Sequence, residues 1–349
     1  MYYDNQNPFG RDSYRDLMCK DAKRSFSRFN FGILAYIATS YIVTMVVDLV
    51  LLLILGDGYT ALTENIYYQW VMGVLPMYAI GLPLLYLIVR SMPTTKLQTS
   101  KLTVGEFLIL FAIAQALMII GNSIGTTLND FIGAIKGDEI TNSTSELIES
   151  SPIWMTLVVA VIIGPIVEEF IFRKLLIDRL ARYGAAVTIF VSGISFGLFH
   201  GNFYQFFYAA MLGILLAFIT FKTGNWLYSV LMHVIINFFG SVAVMPIVDM
   251  MEELTAGMEA LNAGEAVDIS RIIQCGLAVA SYAVFEYGLV IAGLVLLVMA
   301  FRKGWYRLKF TPEVNIPRED VFSVATLNLG TILFVIVSIL LFGVSIILG

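Results

Sequence analysis

The sequence predicts an all-α protein: a polytopic transmembrane helix bundle of about nine membrane helices. Three observations carry that fold class. The 349 residues are 58% hydrophobic and only 13% charged, against about 45–50% apolar and about 25% charged in soluble domains. The mean hydropathy of +0.83 agrees. So little polar surface cannot wet a globule, so lipid is the solvent for much of the chain. Second, the apolar residues gather into nine runs, near 30–55, 68–89, 104–121, 153–180, 185–200, 203–221, 225–247, 272–301 and 322–348. About 20 apolar residues cross a bilayer. Third, the segments between the runs alternate in charge.

The runs divide the chain. Residues 1–28 are polar, carry Arg11, Arg15, Lys20, Lys23, Arg24 and Arg28, and read as a cytoplasmic N-terminal tail. The first run is too long for the apolar core of a cleaved signal peptide and reads as a retained helix. Residues 29–150 hold the N-terminal membrane helices and an outside loop, 122–152; 151–245 form a core that carries the chemistry; 246–349 hold the C-terminal helices. Basic residues recur at 90–103, 173–182 and 302–309, while 122–152 and 248–270 are acidic. With nine spans every basic region falls on one side. Because Lys and Arg collect on the cytoplasmic side, the N-terminus is expected inside and the C-terminus outside. The net charge of −5 and the lack of a basic stripe argue against a nucleic-acid partner. Two cysteines, Cys19 in the tail and Cys275 in an apolar run, exclude a disulfide framework.

Charged residues inside lipid-length runs call for a reason, because each costs about 2.5–3.5 kcal/mol at a helix centre. The fourth run contains Gly164-Pro165-Ile166-Val167-Glu168-Glu169-Phe170-Ile171-Phe172-Arg173. Glu169 and Arg173 are i and i+4 and can pair. Glu168 points about 100° away, and its own i+4 residue is Phe172. The spacing therefore leaves one neutralised and one available carboxylate. Pro165 removes a backbone hydrogen bond one turn earlier. In the fifth run Gly193, Phe196, Gly197 and His200 share a face, and the two glycines permit a close helix approach. In the seventh, His233 and Asn237 are i and i+4. Taken singly, each histidine could simply bond a neighbouring helix. Together they are the protein's two histidines, both in membrane runs. If Gly184 is the turn between the fourth and fifth helices, Glu168 and His200 lie sixteen residues either side of it, at one level of an antiparallel pair. Asp48, Glu106 and Glu286 are isolated and stay outside the site.

A glutamate and a histidine at one level can hold and deprotonate a water. A second histidine with an asparagine amide can donate to a developing oxyanion. That is peptide hydrolysis by activated water. Glu168, His200 and His233 could also hold a zinc ion, since carboxylate and imidazole suit it; the residues do not choose between a metal-bound and a metal-free water. Gly193-Ile194-Ser195-Phe196-Gly197 has the G-x-S-x-G spacing but lies inside an apolar helix-length run and not at a strand-to-helix elbow, and no H-E-x-x-H helix is present.

E-E-x-x-x-R (Glu168, Glu169, Arg173), F-x-x-x-H (Phe196, His200) and H-x-x-x-N (His233, Asn237), in this order on successive membrane helices, resemble the CPBP intramembrane proteases. These are relatives of the CAAX prenyl endopeptidase, also called the Abi family. The Gly201-Asn202 pair and the Lys222-Thr223-Gly224 turn look like bacterial members. The resemblance spans about residues 150–245. It implies an intramembrane, and in some accounts metallo-, endopeptidase in the bacterial plasma membrane, cutting a membrane protein or peptide or a prenylated CAAX-like substrate. Glu168 and His200 would activate water, His233 and Asn237 would form the oxyanion site, and Glu169, Arg173 and Phe196 would support them. The alternatives are a non-catalytic bacteriocin-immunity membrane protein and a proton-coupled transporter. The second is disfavoured because no internal repeat is visible.

Overall fold

The computed structural model describes residues 11–348. All regular structure among them is helical. The helices are α1 (Arg11–Leu55), α2 (Gly58–Thr63), α3 (Ile66–Val89), α4 (Val104–Lys136), α5 (Ser143–Glu149), α6 (Ile153–Tyr183), α7 (Ala185–Phe199), α8 (Phe203–Thr223), α9 (Leu227–Asn262), α10 (Ile269–Arg302), α11 (Arg318–Thr326) and α12 (Leu329–Leu348). Eight of these, α1, α3, α4, α6, α8, α9, α10 and α12, are long and apolar enough to cross a membrane. All nine apolar runs are helical, but α7 has only 15 residues. At about 1.5 Å per residue it falls short of a hydrocarbon core about 30 Å thick.

Several boundaries differ from the sequence reading. The stretch read as a tail is helical from Arg11, and α1 runs unbroken to Leu55; residues 1–10 lie outside the described residues. The acidic regions are not simple loops. Helix α4 continues to Lys136, ending at the left-handed Gly137, and α9 continues to Asn262. Their acidic side chains lie on continuous helix, where Arg271 at the start of α10 pairs with Glu253 of α9 at 2.6 Å. The last apolar run breaks at Leu327-Asn328, so its membrane-length helix begins at Leu329.

Helix α8 is the most enclosed span and α10 the least. In lipid, apolar contact alone does not drive helices together, and small residues let backbones approach. The glycine face anticipated on α7 does this: a Cβ on Gly193 would stand 2.6 Å from the backbone nitrogen of Ile214 on α8, and one on Gly197 would meet Phe206 O at 2.7 Å. Gly121 of α4 lies against the Tyr208 backbone in the same way. One large core joins Phe26, Phe29 and Ile33 of α1, Leu85 and Val89 of α3, Phe172 and Leu176 of α6, Phe196 of α7 and Phe334 of α12.

The basic segments meet at one end of the bundle. Thr95 N donates to Asp178 O at 2.6 Å, Ser100 N to Thr223 O at 2.8 Å and Val314 N to Arg182 O at 2.9 Å. Lys222 pairs with Glu106 at 3.0 Å, and its ammonium lies 4.4 Å from the centre of the Trp305 ring. The isolated acids find partners too. Glu106 closes a capping box with Thr103 at the start of α4. Tyr68 donates to Asp48, and Tyr282 to Glu286 at 2.8 Å. Cys19 and Cys275 are both free thiols.

Candidate active site

Helix α6 supplies the carboxylates and is irregular on both sides of them. Wide π-type turns run over Thr156–Ile163 and Phe170–Leu175, flanking a short α-helical stretch, Gly164–Glu169. Pro165 has no N–H to give the preceding turn, so the hydrogen-bond ladder loosens there. Such bulges are often found at functional sites. Glu169 turns into the protein. Its Oε2 lies 3.1 Å from Arg173 Nε, and both side chains are fully buried. Arg173 Nη2 also donates to Gly213 O of α8 at 3.1 Å, and its guanidinium lies 4.5 Å from the centre of the Phe196 ring. Glu168 makes no such pair, and its side chain keeps 22% exposure.

His233, buried at 3% exposure, joins the two carboxylates. Its Nδ1 lies 3.0 Å from Glu169 Oε1, and its Nε2 is 3.8 Å from Glu168 Oε2. The buried Glu169 thus orients the His233 ring, as carboxylates orient catalytic imidazoles elsewhere. Four residues on, Asn237 donates its amide to Ala160 O on α6 at 3.0 Å. That bond to a neighbouring helix uses one amide proton and leaves the second.

His200 sits one residue beyond the last turn of α7, where the chain reverses at Gly201, whose φ is +68°. Glycine adopts this left-handed conformation without steric cost. Asn202 then caps α8, accepting from Gln205 N at 2.9 Å, and its amide donates to His200 O at 3.0 Å. His200 Nδ1 faces Phe196 O at 2.7 Å, which leaves Nε2 as its outward nitrogen. The Phe196 ring stands edge-on to both histidines, with centroids 4.9 Å from His200 and 5.7 Å from His233. It is a shared wedge for the Arg173 cation and both imidazoles. Among the described residues no direct hydrogen bond joins Glu168 and His200.

Glu168, Glu169, Arg173, Phe196, His200 and His233 are therefore brought together, and Asn237 lies one turn from His233 with part of its amide committed. The ligand set Glu168, His200 and His233 does not fit a zinc ion in this geometry. Among the described residues no three His, Cys, Asp or Glu side chains converge to hold a metal. Each histidine has its Nδ1 engaged by the protein, which leaves Nε2 as its nitrogen toward the site.

Three tyrosines complete the surroundings and were missed from the sequence. Tyr36 of α1, Tyr78 of α3 and Tyr208 of α8 lie in the neighbourhood of Glu168. Tyr78 lies on the π-type turn Met77–Gly81, and its hydroxyl comes within 3.7 Å of where a Gly164 Cβ would stand, one helical turn from Glu168. Tyr36 packs on Phe199 with ring centroids 5.6 Å apart. The sequence offered one usable signal, Pro76 two residues before Tyr78 in an apolar run.

Residues 150–239 match the family described as type II CAAX prenyl endopeptidase Rce1-like. The chain is 23% identical over 238 residues to a Bacillus subtilis (strain 168) protein named "Putative membrane peptidase YdiL". That alignment covers 67% of this chain and 96% of the relative. No solved structure matches the chain. The matched segment coincides with the helices that carry the carboxylates and both histidines, and over it the chain is similar to the Rce1-like type II CAAX prenyl endopeptidases.

Proposed function

We propose that the protein is an intramembrane endopeptidase in which Glu168 and His200 activate a water for attack on a peptide carbonyl. The observation that carries this is the division of labour between adjacent glutamates. Glu169 is buried and neutralised by Arg173, whereas Glu168 is partly open and faces His233 Nε2 at 3.8 Å. A water between Glu168 and the outward nitrogen of His200 would lose a proton to the carboxylate as its oxygen attacks. The charge that develops on the substrate oxygen would be met by His233 Nε2 and the second amide proton of Asn237. With Nδ1 directed at Glu169, a donor role for Nε2 requires the doubly protonated ring. Collapse of the tetrahedral species breaks the C–N bond, and the proton held by Glu168 passes to the leaving amine. No step runs through a metal.

The family description and the relative's name support a protease, and the buried depth of the site supports a substrate that is itself membrane-associated: a membrane protein or peptide, or a CAAX-like prenylated one. The basic end of the bundle is read as cytoplasmic, which puts the N-terminus inside a bacterial plasma membrane. The test compares wild type with Glu168→Gln in matched host membranes, scoring new peptide N-termini by mass spectrometry and foldedness by thermal melting in detergent. Termini found only with wild type are expected. Identical termini with both proteins folded would overturn the proposal and favour a non-catalytic partner such as an immunity protein.

A further inference from the structure

Away from the site, the first two-thirds of α1 carry two faces of opposite character. Ala22, Phe26, Phe29, Ile33 and Tyr36 repeat at helical spacing and are fully buried in the core. The opposite stripe holds Lys20, Lys23, Arg24 and Arg28, then turns apolar at Phe31. This stripe is not a plain solvated face. It borders a broad, largely open groove of about 940 Å³, lined also by Ile88 at the end of α3 and by Asn328 and Leu329 at the start of α12. Four cations line the groove against one acid, Asp16. Beyond it, Asp320 and Glu319 of α11 pair with Arg15 at 2.7 and 3.4 Å, and Asp21 accepts from the Tyr183 hydroxyl at 2.8 Å.

Two details make the groove a receptor of defined polarity. Arg28 is pre-positioned: its Nε donates to Ile88 O at 2.7 Å and its Nη2 to Ser91 Oγ at 2.7 Å. Its charge is therefore presented with little further ordering cost. Lys20, Lys23 and Arg24 make no ion pair among the described residues, so the groove holds uncompensated positive charge. The sequence of wall residues, cations above and Phe31, Ile88 and Leu329 below, matches the junction between a phosphate headgroup and an acyl chain. That junction sits where α1 passes from polar to apolar composition, at the basic end of the bundle.

We propose that this groove binds the headgroup of an anionic glycerophospholipid, with Arg28, Arg24, Lys23 and Lys20 around the phosphate and an acyl chain lying along Phe31, Ile88 and Leu329. A headgroup there would bridge α1, α3 and α12, which surround the core from outside the family-matched segment. The proposal does not depend on proteolysis.

The experiment uses the full chain in mild detergent and native mass spectrometry with phosphatidylglycerol and phosphatidylcholine added at equal amounts. Retention of phosphatidylglycerol over phosphatidylcholine is expected. The variant Lys20→Gln/Lys23→Gln/Arg24→Gln changes exposed or half-exposed residues and should fold. Each basic residue near an anionic headgroup is worth roughly fivefold in affinity, so losing three should weaken retention on the order of a hundredfold. The control, Lys96→Gln/Lys101→Gln/Lys303→Gln, removes the same charge from the same end outside the groove and should retain the lipid. An equal loss in both variants would show diffuse surface attraction and overturn the site. So would unchanged retention in the groove variant. Displacement of the lipid by millimolar inorganic phosphate would overturn the lipid as occupant.

Discussion

Arg173→Ala is the sharpest test of how the site is held. Glu169 and Arg173 are both without exposed side-chain surface, so solvent screening does not soften their interaction. Removing the arginine strands a carboxylate in the interior with His233 Nδ1 as its remaining partner. Breaking a buried pair in this way costs about 3–5 kcal/mol. Gly213 O also loses its donor, worth about 0.6 kcal/mol for a typical hydrogen bond within a membrane protein. The expected destabilisation is therefore about 4 kcal/mol. The double variant Glu169→Gln/Arg173→Met removes both charges, and exchanging a buried pair for neutral groups of similar size is often close to neutral. It is expected within about 1 kcal/mol of wild type, and so about 3 kcal/mol more stable than Arg173→Ala. The assay is equilibrium unfolding in mixed micelles, followed by circular dichroism. A single variant as stable as wild type would refute the reasoning. So would a double variant as unstable as the single, because then packing rather than charge compensation would be what Arg173 supplies.

Two further outcomes follow from the same geometry. Asn237→Ala, assayed on the peptide that the terminus comparison identifies, should lower kcat by about 10²–10³-fold with little change in KM; a drop in thermal stability with kcat retained would show that the amide serves only its bond to Ala160. At the basic end, Arg15 Nε donates to Asp320 at 2.7 Å, and this bond with the arginine's charge holds the Asp320 carboxyl below the usual carboxylate range. A folded value below the unfolded one gives stability that is present above the ordinary Asp value and is lost as pH falls through the folded value. Amide hydrogen exchange in α11, corrected for its intrinsic pH dependence and followed from about pH 5 to about pH 2, should therefore lose protection toward acid in wild type and be flat and already weakly protected in Asp320→Asn; a flat wild-type profile would remove Arg15 as the anchor.

The residues show plainly which parts of this protein are local and which are collective. The nine apolar runs were legible because burying a helix in lipid demands about 20 apolar residues, a local property of composition. The divided roles of Glu168 and Glu169 were legible because i, i+4 geometry is fixed by the helix itself. Counting to Gly184 set Glu168 and His200 at one level, but the count assumes an even rise, which the π-type turn Phe170–Leu175 of α6 does not keep. Helix ends were read less well, because acidic residues at 122–152 and 248–270 resemble loops whether or not the backbone stays helical, and α4 and α9 do stay helical.

What the tertiary structure decided is everything that depends on which helix lies beside which. It placed His233 Nδ1 on Glu169, so that the carboxylate counted as spent on Arg173 also sets the ring that faces Glu168. It committed part of Asn237 to Ala160. It ended α7 at His200, making the histidine the apex of a hairpin and not the middle of a span. It brought Tyr36 and Tyr78 to the site from helices far outside the matched segment, and it assembled the groove beside α1 from residues about 300 positions apart. None of these follows from spacing. In lipid, helices are matched by close approach at small residues and by polar pairing, and those depend on three-dimensional neighbours that a linear pattern does not encode.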